Sequence, residues 1–302
     1  MTARAPIVDG IHHVTAFAGS AAANVRFHTQ ALGFELIKRT VNFDAPTLWH
    51  LYYGLGGGAP GTLLTHFPEP RAPRALHGGE EITAIALAVR GGALDALRAR
   101  LAKAGVATDE RARFGARTLA FEDPDGIRIT AEESSSSLQT ACAAEIARVE
   151  LTVPSAAETC AFLAQGMGFR EIARDGNTTR LALGDGGSGR EIDVIDAPGL
   201  AAQQLAAGTI HHVAWRVRDD AAQAAAANVL RGAGIAVTPV RDRQYFRSIY
   251  FRIPGGVLFE IATDGPGFAI DEPADALGRE LKLPPQYEQF RAQIAAQLPA
   301  LA

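Results

Sequence analysis

A strand, a helix and three further strands follow one another four times along this chain of 302 residues, each copy about 60 residues long. One such unit presents an apolar sheet face that it cannot cover alone, so copies must pack against one another. With 47% hydrophobic and 21% charged side chains, the chain has material for two cores. The first copy reads as strand "IHHVTAFAG", helix "SAAANVRFHTQALGFE" with Ser20 at its N-cap and Gly33 as its stop, then strands "LIKRTVNF", "LWHLYYG" and "GTLLTHF". The second reads "EITAIALAV", helix "GALDALRARLAKAGV", then "DERARFG", "RTLAFEDPDG" and "IRITAEE". The third has "IARVELTV", helix "SAAETCAFLAQGMGF" and two further strands, "TTRLALGDG" and "REIDVIDA". The fourth is "TIHHVAWRV", helix "DDAAQAAAANVLRGAGI", then "VTPVRDRQYF", "SIYFRIPGG" and "VLFEIAT".

The turns "EDPDGIRIT" and "RIPGGVLFE" match in register, each feeding a last strand, which supports the repeat without reference to any histidine. The expected class is α+β, with four βαβββ modules forming two domains of paired half-barrels. The polar stretch 132–145, "EESSSSLQTACAAE", separates the second copy from the third. It puts an N-terminal pair of modules at 8–135, a C-terminal pair at 145–268 and a tail at 269–302, whose short helix starts after Pro284-Pro285.

A formal net charge of −4, with Arg scattered among Asp and Glu, leaves no basic face, so a nucleic-acid partner is not expected. Residues 1–10 hold no apolar stretch of signal-peptide length, and no run reaches the roughly 18 apolar residues of a membrane span. A cytoplasmic protein that takes a small molecule is the expectation, with a homo-oligomer left open. Cys142 and Cys160 have neither CxxC spacing nor a disulfide framework and read as small apolar residues, so any metal must be held by histidine and carboxylate.

Side chains alternate along a strand, so in "IHHVT" His13 and Thr15 share one face while His12 points the other way. If the fourth copy is built like the first, His212 joins His13 on the concave side of a half-barrel and His211 does not. The strand "VLFEIAT" carries Glu260 between Phe259 and Ile261, where an ionised carboxylate is costly unless a cation or donor compensates it; the second copy has Thr130 at the matching place. Two histidines and one carboxylate on rigid strands are the donor set of the facial triad that binds Fe(II) and keeps positions open for oxygen and a substrate.

With "HHVT" and "HHVA" opening strands and "GGVLFE" closing one, the repeated module resembles the vicinal oxygen chelate superfamily, which includes glyoxalase I, extradiol dioxygenases and antibiotic-resistance proteins. The block "DRQYFRSIYFRIPGGVLFEIATDGPGF" and the tail "LKLPPQYEQFRAQIAAQLP" are similar to the ring-cleaving dioxygenases that open hydroquinones. The resemblance covers essentially the whole chain. It implies a non-haem Fe(II) enzyme, less often Mn(II), with ligands His13, His212 and Glu260. It further implies a pocket completed by His12, Thr15, His211, Arg243 and Tyr250. The implied substrates are a small aromatic diol and O2, and the implied product is a hydroxymuconic semialdehyde or, from a halogenated ring, a maleylacetate-type acid.

In physical terms Arg243 would supply a fixed positive charge for a phenolate, or else pair with the neighbouring Asp242 or another surface acid. Tyr250 would donate to a substrate hydroxyl, or simply pack. His12 and His211, off the metal face, would orient a ligand or relay a proton. Trp49, Tyr52 and Tyr53 could line the pocket or belong to the core. Laying "PGTLLTH" on "PGGVLFE" puts His66 at the place of Glu260 in the first copy, a fourth ligand that would favour a glyoxalase-like isomerase; His50 is a further pocket candidate. A catechol-cleaving extradiol enzyme and a metal-free binding protein on the same scaffold complete the alternatives.

Overall fold

The computed structural model describes residues 4–134 and 145–301, so most of the polar stretch 132–145, with Cys142, lies outside the described residues. Module one is β1 (Gly10–Ala18), α1 (Ala21–Arg26), β2 (Glu35–Asn42), β3 (Ala45–Gly54) and β4 (Leu63–Pro68). Module two is β5 (Glu81–Arg90), α2 (Leu94–Lys103), β6 (Thr108–Arg113), β7 (Ala116–Glu122) and β8 (Arg128–Ser134). Module three is β9 (Glu145–Val153), α3 (Ala156–Phe162), β10 (Phe169–Asp175), β11 (Thr178–Leu183) and β12 (Glu191–Asp196). Module four is β13 (Ile210–Val217), α4 (Asp220–Gly232), β14 (Arg241–Asp242), β15 (Phe246–Arg252) and β16 (Leu258–Pro266). The α+β class and the four modules are as the sequence predicts.

Helices start where the sequence supplies an acceptor. Ser20, Ser155 and Asp219 cap α1, α3 and α4 by accepting from the backbone N–H of Ala23, Glu158 and Ala222. In modules one and three the helix widens into a π-type turn and stops at Gly33 and Gly168, whose φ values of 84° and 85° are left-handed and suit glycine. Two elements differ from the sequence reading. Module three gains β10, an edge strand whose Arg170, Glu171 and Ile172 are all exposed; without an apolar alternation it leaves no period-two signal. The strand expected over 237–246 contracts to Arg241–Asp242, because Pro239 lacks a ladder donor and Gln244 turns the chain at φ 64°.

All sixteen strands form one continuous sheet, with the first and last strand of each module parallel neighbours. Between modules, β1 pairs antiparallel with β13 and β5 with β9, and a single pairing, Ile82 with Ile210, joins the two seams. Module one therefore closes on module four, and module two on module three. The spans 8–135 and 145–268 give the order of modules along the chain, not which ones face each other in space. The reason is burial: β1 and β13 are covered on both faces, and each needs a hydrogen-bonding neighbour on both edges.

The convex faces pack on the helices; Leu51, Tyr53 and Leu64 of module one share a core with Phe27, Ala31 and Leu32. The tail straps module one: a turn at Pro285–Phe290 leads into α5 (Arg291–Gln297), Ile294 packs on Val41, and Trp49 donates to the Pro299 carbonyl at 2.8 Å. Cys160 is a half-buried free thiol. Among the described residues no helix is long and apolar enough to cross a membrane.

Candidate metal centre

Three buried side chains converge on the concave side of the β1/β13 seam: His13 from β1, His212 from β13 and Glu260 from β16. Register brings them there. Thr15 lies opposite His212 and His13 opposite Ala214, while Ala214 sits beside Glu260 on the parallel neighbour. The Nε2 atoms of His13 and His212 are 3.3 Å apart, and Glu260 Oε2 is 2.9 Å from His212 Nε2 and 3.5 Å from His13 Nε2. Ligands on adjacent corners of an octahedron, each about 2.1 Å from a cation, are separated by about 3 Å, so the three atoms are spaced as one face of such a shell.

Glu260 is 1% exposed, and its Oε2 takes no hydrogen bond of acceptable geometry from any described residue, whereas Ser248 Oγ donates to Oε1 at 2.5 Å. A buried carboxylate oxygen left without a donor is costly, and a divalent cation between the three atoms satisfies it; the residues present fit a metal. Burial alone would raise the Glu260 carboxyl, but the two imidazoles outweigh it and hold it well below the ordinary carboxylate range. Burial also lowers His212, against the pull of Glu260.

Each of these histidines is oriented by the one before it. His13 Nδ1 lies 3.0 Å from His12 Nδ1, and His212 Nδ1 lies 2.7 Å from His211 Nδ1. With the Nε2 lone pairs turned to the centre, the protons of His13 and His212 sit on Nδ1 and are donated to the neighbouring rings. Burial drives His12 and His211 down to about 3, so both stay neutral and able to accept. Strict alternation would send His12 and His211 to the far side, and that expectation fails for a definite reason. The β1/β13 pairing slips between Ile11 and His13 and again between Thr15 and Ala16, and the residues skipped are His12 and His211. Each is the extra residue of a β-bulge.

A cavity of about 270 Å³ opens on the centre, with apolar walls from Phe17, Phe67 and Phe246. Thr15, His211, Arg243 and Tyr250 also line it, whereas His12 stays behind His13. Tyr250 is the cross-strand partner of Glu260, and its ring centre is 5.9 Å from that of His212. Arg243 sits in the turn after β14 rather than on a strand; its Nε donates to Tyr250 Oη at 3.1 Å, and its ion partner is Asp44, at 3.1 Å, not Asp242. Burial, with the nearby Glu260 carboxylate, raises Tyr250 and keeps it a phenol.

Two residues fall elsewhere than the alignment places them. In β4 it is Thr65, opposite Thr15, that matches Glu260; the "PGTLLTH" alignment is one residue out. His66 therefore faces the helix layer, its ring centre 4.3 Å from that of His28, and takes no part in the centre. Tyr52 and His50 line the cavity. Tyr53 belongs to the core with its hydroxyl on Asn24, and Trp49 is held by the tail. Ser248, which the sequence reading misses, could have been found by parity, two residues before Tyr250 on the same strand face.

The sequence profile of the Glyoxalase/Bleomycin resistance protein/Dioxygenase superfamily matches residues 10–130 and 145–261, which together take in all four modules. The chain belongs to that superfamily. Among its relatives, the Bacillus subtilis protein MhqO, provisionally named a ring-cleaving dioxygenase, is 38% identical over 94% of both chains. The chlorohydroquinone/hydroquinone 1,2-dioxygenase of Sphingobium indicum is 34% identical over 95% of both chains. The crystal structure of a Bacillus subtilis protein provisionally described as a dioxygenase superposes with a TM-score of 0.92 at 36% identity, covering 99% of each chain. Glyoxalase I from Zea mays, 13% identical with a TM-score of 0.66, covering 84% of this chain and 92% of its own, shares the fold.

In this glyoxalase-superfamily chain the second seam carries no such cluster among the described residues. The strand registers match Ala84 to His13, Arg148 to His212, Thr130 to Thr65 and Asp193 to Glu260. Arg148 is ion-paired with Asp193 at 3.2 Å and with Glu132. A fixed guanidinium thus stands among carboxylates where the first seam gathers donors for a cation.

Proposed function

We propose that this protein is a ring-cleaving dioxygenase that holds a non-haem Fe(II), or Mn(II), on His13, His212 and Glu260 and adds both atoms of O2 across one carbon–carbon bond of a hydroquinone. The product is a hydroxymuconic semialdehyde or, from a halogenated ring, a maleylacetate-type acid. The observation that carries the reading is the three-donor cluster at the wall of a cavity of about 270 Å³, room for a single ring, faced by four phenylalanines. The names of the relatives support the same chemistry. The isomerase reading asked for His66 as a fourth ligand and loses that support.

When bound, the iron supplies the open positions and the redox capacity for O2 and a ring oxygen. The protein supplies the rest. Phe17, Phe67 and Phe246 hold the ring and keep water out. Arg243 puts a fixed positive charge at the cavity wall, which favours a deprotonated ring oxygen over a neutral one. Tyr250, fixed by that guanidinium, is a donor beside Glu260, and His211, whose Nδ1 accepts from His212, holds a proton at Nε2 on the cavity wall.

Iron-loaded protein should take up one O2 for each hydroquinone consumed, read with an oxygen electrode and by the mass of the opened product. Uptake with catechols but with no hydroquinone would overturn the substrate assignment, and no oxygen uptake with either would overturn the dioxygenase. Ser248 fixes the Glu260 carboxylate from behind, so Ser248→Ala should weaken divalent metal binding by about 10- to 100-fold while leaving the fold intact, measured by competition with a coloured chelator.

A further inference from the structure

Four side chains on three strands of module one form an unbroken hydrogen-bonded chain. Tyr52 Oη lies 2.9 Å from His50 Nδ1, His50 Nε2 lies 2.9 Å from Thr65 Oγ1, and Thr65 Oγ1 lies 2.8 Å from Thr15 Oγ1. Thr15, His50 and Tyr52 line the cavity, while Thr65 is fully buried behind them and links them. No acid or base interrupts the chain: burial holds His50 well below its ordinary range and Tyr52 well above its own, so both are neutral.

Counting hydrogens shows what such a chain offers. Each of the four neutral groups carries one hydrogen, and three bonds consume three of them. With all bonds pointing one way, which spares the fully buried Thr65 an unpaired hydrogen, the surplus hydrogen sits at one end and the unused lone pairs at the other. If Tyr52 donates to His50, the free O–H is that of Thr15; if Thr15 donates to Thr65, the free O–H is that of Tyr52. Both ends are on the cavity wall. Thr15 stands beside the centre as the cross-strand partner of His212, whereas His50 and Tyr52 are on β3, two strands along the sheet from β1 and so about 10 Å away; the centre and the guanidinium of Arg243, which line the same cavity, both suit an anionic oxygen.

We propose that the Tyr52–His50–Thr65–Thr15 chain recognises the ring hydroxyl that is not at the His13–His212–Glu260 centre, so that the site selects aromatic diols whose two oxygens are far apart. This rests on the function proposed above. A catechol brings both oxygens to the centre and leaves the chain unmatched, whereas a hydroquinone brings one and presents the other as a neutral hydroxyl, which both donates and accepts. Thr65 touches no substrate and acts as a positioning residue. A site built to pair with a hydroxyl discriminates against a ring lacking it, because the site's own groups are then left unpaired.

The test is binding to Mn(II)-loaded protein without oxygen, measured by calorimetry with hydroquinone and with phenol. The parent should prefer hydroquinone; Thr65→Val, of the same shape, should weaken hydroquinone about tenfold and leave phenol unchanged, and Thr65→Ser should restore the preference. Tyr52→Phe, which removes one end without disturbing Thr65, should give the same loss of preference. A parent that binds the two rings alike, or variants that weaken both equally, would overturn the proposal. Oxygen uptake by the parent reads the dioxygenase function separately: an active parent whose Thr65→Val variant keeps its preference for the diol sinks this inference and leaves that function standing.

Discussion

Glu260→Ala is expected to remove divalent metal binding and, with it, all oxygen consumption. Glu260 is the one anionic donor of the cluster, and without it His13 and His212 present two neutral nitrogens to a doubly charged ion. Affinity should fall by more than about 100-fold, beyond the range for loss of an outer partner. The fold should still form, at some cost. The carboxylate is 1% exposed, and in metal-free protein its charge is compensated by Ser248 and the two imidazoles, so its removal takes away a favourable interaction. Metal at 100 times its dissociation constant stabilises the parent by about 2.7 kcal/mol. A thermal melt should therefore show a metal-dependent rise for the parent and none for Glu260→Ala. His212→Ala should behave alike, whereas Tyr250→Phe should keep the metal and lose turnover. Retained metal in both ligand variants would dismiss the centre.

The sequence made some of this legible because the information was local. Period-two alternation put His13 and Thr15 on one face, and the turn shared by "EDPDGIRIT" and "RIPGGVLFE" fixed the place of Glu260 in its module. Which modules close on each other was not local: β1 could have paired with any module's first strand, and only the folded chain brings it to β13. The bulges at His12 and His211 were hidden because a bulge inserts a residue without changing the apolar pattern around it. The misplacement of His66 has a related origin. Pro-Gly precedes both β4 and β16, yet a slip of one residue exchanges the cavity face for the helix face, and Thr65 rather than His66 takes the inward position. Alternation could not reveal β10, whose side chains nearly all face water.

Lys38→Ala is expected to cost the fold about 3–5 kcal/mol, the range for removing one partner of a buried ion pair. Lys38 is completely buried on β2, and its ammonium is held by Asp271, Glu272 and the Phe268 carbonyl, at 2.6 Å from Asp271 and 3.1 Å from the carbonyl. Taking the amine away leaves the nearly buried Glu272 with no cation, and Asp271 with only neutral donors, Tyr245 at 2.9 Å and Gln244 at 2.8 Å. Those two residues follow Arg243 directly, so a loosened 268–272 segment should also loosen the turn that aims the guanidinium at the cavity. The three candidate ligands lie on β1, β13 and β16, not on β2 or the 268–272 segment that make up the clamp, so metal content should hold while the urea midpoint falls and KM rises. Neutralising the acids together, in Lys38→Met with Asp271→Asn and Glu272→Gln, should recover much of the loss, because the penalty comes from uncompensated charge more than from missing attraction. An urea midpoint for Lys38→Ala equal to the parent's would show that the segment is held by the packing of Phe268 on Tyr52 and Tyr245 instead.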